Sequence, residues 1–126
     1  MIVADTHAIV WWILSPSKLS PAARTALDDG PVHVAVISCL EIANLARRGR
    51  IDLPLHVGVW LKLVLQLPNV TLAPLTTDIA IAAGLLDDPI RDPADRLIVA
   101  TALHHGLPLV TTDAKIRAAG VVPTIW

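Results

Sequence analysis

The sequence is most informative over Arg91-Asp92-Pro93-Ala94-Asp95-Arg96-Leu97-Ile98-Val99-Ala100-Thr101-Ala102, where two carboxylates precede an apolar run. Asp92 is typical of a helix N-cap, Pro93 of the first helical position and Asp95 of the acidic third position. Gly106 marks the end of the helix that this pattern predicts. Helix capping by itself therefore accounts for both carboxylates without any catalytic role.

Three further acids lie close to other apolar runs. Asp5 directly follows residues 2–4, and Asp113 follows residues 109–112. Glu41 lies inside a predicted helix, three residues after Ser38. That spacing is the one of a capping box, so capping is an alternative explanation for Glu41 as well. The question for function is whether these acids meet.

Short apolar runs alternate with helical patterns along the whole chain. We predict strands at residues 2–4, 32–37, 70–73, 109–111 and 122–125. Helices are predicted at residues 7–13, 21–27, 38–49, 55–67, 77–86, 92–106 and from 113 onward, with Ser38 as the cap of the third. This alternation predicts an α/β fold, with a parallel β-sheet flanked by helices on both faces. We find no repeat or linker, so residues 1–126 are expected to form a single domain.

The composition limits the classes of partner. A net charge of −1 gives no global attraction to nucleic acid, so RNA could bind only through a local patch. The chain is 54% hydrophobic, yet its longest apolar stretch, residues 53–70, is interrupted by His56, Lys62, Gln66 and two prolines. We therefore expect no membrane segment and a cytoplasmic protein. The helix at 55–67 is apolar almost all round, which predicts burial in the core or under another chain.

In an open parallel sheet, ligand sites form beyond the carboxyl ends of the strands. Asp5, Asp113 and Glu41 are expected at that edge, whereas the sequence alone does not determine which edge Asp95 joins. If the four carboxylates converge, their mutual repulsion is relieved by a divalent cation. Oxygen ligands without cysteine or clustered histidine suit Mg²⁺ or Mn²⁺, and these ions serve phosphodiester hydrolysis.

Four motifs contain these acids: Asp5-Thr6-His7, Ser38-Cys39-Leu40-Glu41-Ile42, Asp92-Pro93-Ala94-Asp95-Arg96-Leu97 and Thr111-Thr112-Asp113. In order and spacing they resemble the acidic motifs of PIN-domain ribonucleases, and most closely those of VapC toxins from VapBC toxin–antitoxin pairs. The resemblance implies a PIN-like fold and a Mg²⁺- or Mn²⁺-dependent endoribonuclease. It also implies a homodimer and a cognate VapB-type antitoxin.

The resemblance assigns the catalytic, metal-binding pocket to Asp5, Glu41, Asp95 and Asp113, with Asp5 and Asp95 as the first candidates for direct ligands. Four other residues are candidates for orienting these carboxylates or contacting substrate: Thr6, Asp92, Thr111 and Arg96. For Arg96, a phosphate contact and an ordinary surface ion pair are equally good interpretations. The arginines near the end of the third helix fit either a solvated helix end or a phosphate-binding patch: Arg47, Arg48 and Arg50.

Two other functional classes stay open at this stage. The chain could be a non-catalytic α/β protein-binding module, in which every acid is a helix cap. It could also be a metal-dependent phosphatase or a DNA nuclease on a similar α/β frame. Convergence of the acids in three dimensions would distinguish a nuclease from the non-catalytic binding module. The substrate that is cleaved would distinguish a ribonuclease from a phosphatase or a DNA nuclease.

Overall fold

A parallel β-sheet forms the centre of the molecule. The computed structural model describes residues 1–87 and 89–126. Within these residues there are five strands: β1 (Ile2–Ala4), β2 (Val32–Ala35), β3 (Val70–Ala73), β4 (Leu109–Val110) and β5 (Thr124–Ile125). Every pairing is parallel, and the strand order is β3-β2-β1-β4-β5. The predicted α/β fold with a parallel sheet is confirmed.

Helices connect the strands. The described residues form seven α-helices: α1 (Thr6–Leu14), α2 (Pro21–Asp29), α3 (Val36–Arg47), α4 (Val57–Leu65), α5 (Thr77–Leu85), α6 (Pro93–His105) and α7 (Ala114–Ala119). A short 3₁₀ turn, Pro16–Lys18, lies between α1 and α2. At α6 the predicted ends are confirmed, since Asp92 is the N-cap and Gly106 ends the helix with φ 64°. None of these helices is long and apolar enough to span a bilayer.

The helices cover both faces of the sheet, as predicted. Along β1, Ile2 and Ala4 face one layer and Val3 faces the other, because successive side chains of a strand alternate. The first layer contains α1, α2 and α4, together with Ile42 of α3. The second contains α6 and α7, and α5 packs against α6. The core is therefore two apolar layers that sandwich the sheet.

The strand order creates a crevice beside β1. The chain leaves β1 to form β2 and β3 on one side, and later returns to form β4 on the other side. Such a reversal separates the connections at the carboxyl ends of the two adjacent strands, and ligand sites form there. The backbone N–H of Asp5 donates to the carbonyl of Val110 at 2.9 Å, so the residues that follow β1 and β4 are neighbours.

The boundary between β2 and α3 differs from the prediction. The strand expected at 32–37 ends at Ala35, which is also the N-cap of α3. The β-branched Val36 and Ile37 favour a strand locally, but tertiary packing makes them the first turn of the helix instead. Ser38 is therefore wrongly predicted as a cap, because it lies buried inside the helix. The strands at 109–111 and 122–125 are likewise shorter than predicted.

Helix α4 is also shorter than the predicted 55–67, and it begins at Val57 with His56 as its cap. It buries Trp60 and Val64 but exposes Val59 and Leu63, which are 50% and 51% accessible. The alternative that places this helix deep in the core is therefore wrong. What the structure shows is an apolar helix with one face open.

Candidate active site

The Asp5 carboxylate is oriented through both of its oxygens. Oδ1 accepts a hydrogen bond from the Thr6 backbone N–H at 2.8 Å, and Oδ2 accepts one from the Thr111 hydroxyl at 2.6 Å. Thr111 Oγ1 in turn accepts from the Asp113 backbone N–H at 3.0 Å. Burial raises the pKa of Asp5, and the hydrogen bond from Thr111 opposes that rise. This network joins the ends of β1 and β4 at the crevice.

Glu41 is held from a different helix. The Thr6 Oγ1 atom lies 2.6 Å from Glu41 Oε1 and 3.1 Å from Ser38 Oγ. A threonine hydroxyl has one proton, and the carboxylate oxygen at the shorter distance takes it, so Ser38 donates to Thr6 in return. Burial raises the pKa of Glu41, Thr6 lowers it, and the negative charges of Asp5 and Asp92 raise it further. The predicted capping box is wrong, because Glu41 binds the start of α1 rather than the start of its own helix.

The first turn of α6 supplies two more carboxylates. Asp92 Oδ1 accepts from the backbone N–H groups of Ala94 and Asp95 at 2.8 and 3.1 Å, which is the predicted N-cap. Asp95 is half-buried, and its pKa is raised to about 7. Desolvation is the largest cause, followed by the charges of Asp5, Asp92, Asp113 and Glu41. The structure therefore places Asp95 at the same edge of the sheet as the other acids.

Three carboxylates converge most closely. One oxygen of each of Glu41, Asp92 and Asp95 lies within 4.8 Å of the others, and we call these residues the carboxylate trio. Asp5 and Asp113 lie in the same acidic neighbourhood, since their charges raise the pKa of Asp95, but they are not part of the trio. Asp92 thus joins the cluster in addition to capping its helix. A set of oxygen ligands alone fits a hard divalent cation such as Mg²⁺ or Mn²⁺.

A pocket of about 340 Å³ opens beside the acids. Its charged lining comprises Arg91, Asp92, Asp95, Asp113 and Lys115. We did not single out the two cations from the sequence, because an exposed basic residue near a helix start carries no distinctive signal. A larger cavity, of about 510 Å³, lies between α1 and residues 50–54 and contains none of these acids. Of these two cavities, only the smaller is lined by acids of the cluster, namely Asp92, Asp95 and Asp113.

Arg96 has a role that neither sequence interpretation anticipated. Its guanidinium donates to four backbone carbonyls, namely Ala83 at 2.9 Å, Ile90 at 2.5 Å, Gly84 at 3.1 Å, and Leu86. This finding corrects both interpretations of Arg96 made from the sequence, the phosphate contact and the surface ion pair. The reason is geometric: α5 ends beside the first turn of α6, and its free carbonyls face the guanidinium.

The cluster of arginines at the end of α3 lies on the surface. Arg47, Arg48 and Arg50 are all exposed, and Arg47 Nη2 donates to Asn44 Oδ1 at 2.5 Å. This contact is local to the helix end, and it favours the interpretation as a solvated terminus whose cations complement the helix dipole.

Comparison with known proteins relates this site to a family. The PIN domain model matches residues 2–122. Ribonuclease VapC22 of Mycobacterium tuberculosis (strain ATCC 25618 / H37Rv) is 39% identical over 119 residues, which cover 93% of this chain and 90% of that protein. VapBC2 from Rickettsia felis, bound to a DNA fragment from their promoter, has the same fold, with a TM-score of 0.71 and 16% identity over 98% of this chain and 97% of that one. A toxin–antitoxin complex from Klebsiella pneumoniae matches with a TM-score of 0.67 and 17% identity over 97% and 95% of the two chains. The chain therefore belongs to the PIN-domain family, as a nuclease of the VapC type, and the relationship expected from its four acidic motifs is confirmed.

Proposed function

We propose that this chain is a Mg²⁺- or Mn²⁺-dependent endoribonuclease, the toxin of a toxin–antitoxin pair, and that it acts in the cytoplasm as one domain. The observation that carries the proposal is the carboxylate trio at the carboxyl edge of a parallel sheet, in a PIN-domain chain. The M. tuberculosis relative is named as a ribonuclease, which supports RNA as the substrate. Three acids within 4.8 Å are more than helix capping requires, which disfavours a non-catalytic module.

In this proposal Glu41, Asp92 and Asp95 hold the cation, and Asp5 and Asp113 complete the acidic pocket. When bound, Mg²⁺ or Mn²⁺ supplies Lewis-acid chemistry: it neutralises the scissile phosphate, lowers the pKa of the attacking water and stabilises the leaving oxygen. The protein itself must present ionised, correctly oriented carboxylates. The fit is good, because the donors are all oxygen and their charges repel until a cation arrives.

The chain's own hydroxyl groups perform the orientation. Thr111 fixes Oδ2 of Asp5, while Thr6 fixes one oxygen of Glu41. Hydrogen-bond partners of ligating carboxylates hold them in their productive orientation. The pKa of Asp95 is raised to about 7 in the cation-free protein, and a cation held by the trio would favour its ionised form.

Substrate contacts are proposed for the two cations of the pocket lining. The overall charge of −1 gives RNA no general attraction, so binding must come from local positive groups. Arg91 and Lys115 line the pocket together with Asp92, Asp95 and Asp113. Cations next to the acids suit a polyanionic strand whose phosphates on either side of the scissile bond need neutralising.

The exposed apolar side chains support the proposed protein partners. Along α4 and its flanks, four large aliphatic residues are 39–51% accessible: Leu55, Val59, Leu63 and Leu67. A second group lies on α3, β3 and α5 and includes Leu40, Leu72, Ile81 and Leu85. Several large aliphatic side chains left open to solvent are typical of protein interfaces. We propose that a second copy of the chain and a VapB-type antitoxin cover these surfaces.

The test is metal-dependent cleavage by purified, antitoxin-free protein. We expect Mn²⁺ to support cleavage of RNA, and Glu41→Gln to reduce the rate by about two orders of magnitude or more (~3 kcal/mol of barrier). The exposed Asp28→Asn is the control, because its carboxylate lies outside the acidic pocket. Single-stranded DNA and a phosphomonoester, tested in parallel, measure the two alternative activities. Cleavage of DNA or the phosphomonoester without RNA cleavage would replace the proposed substrate.

A further inference from the structure

The guanidinium of Arg96 joins the end of α5 to the first turn of α6. Nε donates to the Ala83 carbonyl at 2.9 Å, Nη1 donates to Ile90 at 2.5 Å, and Nη2 donates to Gly84 at 3.1 Å and to Leu86. The last carbonyls of a helix have no partner within the helix, and α5 ends at Leu85. Arg96 therefore satisfies the carboxyl end of α5, where the helix dipole also favours a cation.

One of these contacts lies close to Asp92 in the chain. Ile90, whose carbonyl binds Arg96, is buried and precedes Asp92 by two residues. The backbone N–H of Arg96 also donates to the Asp92 carbonyl at 3.0 Å, but this is the ordinary i→i−4 bond at the start of α6 and does not involve the guanidinium. The guanidinium therefore acts on the backbone beside Asp92 through the Ile90 carbonyl. Because the Asp92 carboxylate belongs to the carboxylate trio, a constraint on this stretch of backbone also bears on the arrangement of the acids.

The positive charge of Arg96 is directed at backbone carbonyls and not at the acids. In the described ranges 1–87 and 89–126, its guanidinium forms no ion pair with a carboxylate, although Asp95 is its immediate neighbour in sequence. Four of its five N–H donors bind backbone carbonyls instead. Among the described residues, Arg96 therefore does not neutralise a member of the carboxylate trio.

We propose that Arg96 is a positioning residue, which holds Asp92 in the carboxylate trio by linking the Ile90 carbonyl to the carbonyls at the end of α5. This inference rests on the proposed function, since it concerns the affinity of the carboxylate trio for a divalent cation. It assigns Arg96 no contact with RNA.

The test measures Mn²⁺ binding by calorimetry, with no RNA present. We expect Arg96→Met to raise the Kd for Mn²⁺ about tenfold or more, the range found when a residue that orients a ligand is lost. Arg96→Lys should have a smaller effect, because one ammonium group reaches fewer carbonyls than a planar guanidinium. The matched control is Arg24→Met, which removes an exposed arginine paired with Asp28 at 3.6 Å. It should leave the Kd unchanged.

A double-mutant cycle separates positioning from a general loss of structure. If Arg96 acts through Asp92, then Arg96→Met should change the Kd less than about twofold in an Asp92→Asn background. Independent, multiplicative effects would overturn the proposal. So would an unchanged Kd in folded Arg96→Met, or a failure of both Arg96 variants to fold, which would make the residue necessary for folding rather than for position.

Amide hydrogen exchange provides a readout that does not depend on any metal. The backbone N–H groups of Ala94 and Asp95 are bound by Asp92, and they should exchange faster in Arg96→Met than in the wild type. If the wild type binds no Mn²⁺ while this exchange still accelerates, the proposed function fails and the positioning role stands. If Mn²⁺ binds and neither the exchange nor the Kd changes, the positioning role alone is refuted.

Discussion

At Asp95, the helix dipole, burial and charge repulsion act on a single carboxyl group. An acid in the first turn of a helix is normally favoured in its ionised form, by roughly 0.3–1 kcal/mol. Here desolvation and four neighbouring acids outweigh the helix dipole and raise the pKa to about 7. The balance of these effects is what distinguishes Asp95 from an ordinary capping acid.

The raised pKa of Asp95 predicts a pH-dependent stability. The unfolded chain releases this proton near 3.8, whereas the folded chain keeps it up to about pH 7. Between those values the folded state binds more protons, so the contribution of this group to stability falls as the pH rises. Without metal, Asp95→Asn should raise the free energy of unfolding by roughly 1–2 kcal/mol at pH 8, after allowance for solvent screening. Urea denaturation should show little effect at pH 4, and an equal gain at both pH values would contradict the explanation.

The same substitution should have the opposite effect on activity. Asp95→Asn is expected to fold normally but to lose about two orders of magnitude or more in RNA cleavage, because an amide binds Mg²⁺ poorly. Asp78→Asn is the matched control, since Asp78 also lies in the first turn of a helix but is exposed on α5. Cleavage assays with Mn²⁺ measure both variants. Full activity in Asp95→Asn would reduce this acid to a structural role.

Thr111 carries a prediction about buried polar groups. Thr111→Val removes the donor to Asp5 Oδ2 and the acceptor of the Asp113 N–H, so we expect a loss of about 1–3 kcal/mol in the free energy of unfolding. Thr111→Ser should recover most of that loss, because the hydroxyl is kept. Thr112→Val, at the exposed neighbouring position, is the control. Urea denaturation near neutral pH measures all three, and equal losses in the Val and Ser variants would refute a role for the hydroxyl.

At the scale of elements, the start of α6 serves two purposes. Asp92 Oδ1 satisfies two backbone N–H groups, and the same carboxylate lies in the carboxylate trio. One residue therefore couples the helix end to the cluster. Local sequence explains the first role completely, and only the packing of α6 against α3 and α5 produces the second.

Substitution of Asp92 by serine separates these two roles. Serine caps a helix about as well as aspartate, so Asp92→Ser should keep the stability of the metal-free protein, whereas Asp92→Ala should cost about 1 kcal/mol. Both variants should show a smaller rise in Tm on addition of Mn²⁺, because each lacks the carboxylate. Thermal melts with and without Mn²⁺ are the measurement. A full Mn²⁺ increment in Asp92→Ser would exclude this carboxylate from the proposed site.

At the scale of the whole molecule, the sheet order and the open apolar surfaces determine what the chain can bind. The reversal beside β1 brings the acids to one edge. Away from that edge, α4 exposes a row of aliphatic side chains, including Val59 and Leu63. Exposing a helix with so little polar surface to water is unfavourable for an isolated chain.

We therefore predict that another chain covers the open face of α4. Light scattering at tens of micromolar should find a dimer or a complex with a co-purified antitoxin, and Leu63→Lys should lower that mass. Lys62→Ala, at an adjacent exposed position that is already polar in the wild type, is the control. A stable, soluble monomer that purifies without any partner would count against the prediction.

The sequence alone determined the local features and the family. Periodicity and capping predicted the strand and helix order, and they predicted the ends of α6 to the residue, because these signals depend on neighbours within a few positions. The four acidic motifs likewise identified the PIN-domain relationship before any geometry was considered. Where local propensity competed with packing, as at the start of α3, the prediction was wrong.

Only the tertiary structure decided how the acids are arranged. It placed Asp95 at the edge shared with Asp5, brought Asp92 into the carboxylate trio, and paired Ser38 with Thr6 across 32 positions of sequence. It also directed Arg96 to backbone carbonyls instead of to a phosphate or an acid. Spacing along the chain cannot specify these contacts, because each depends on the packing of helices that are distant in sequence and meet only after the sheet has formed.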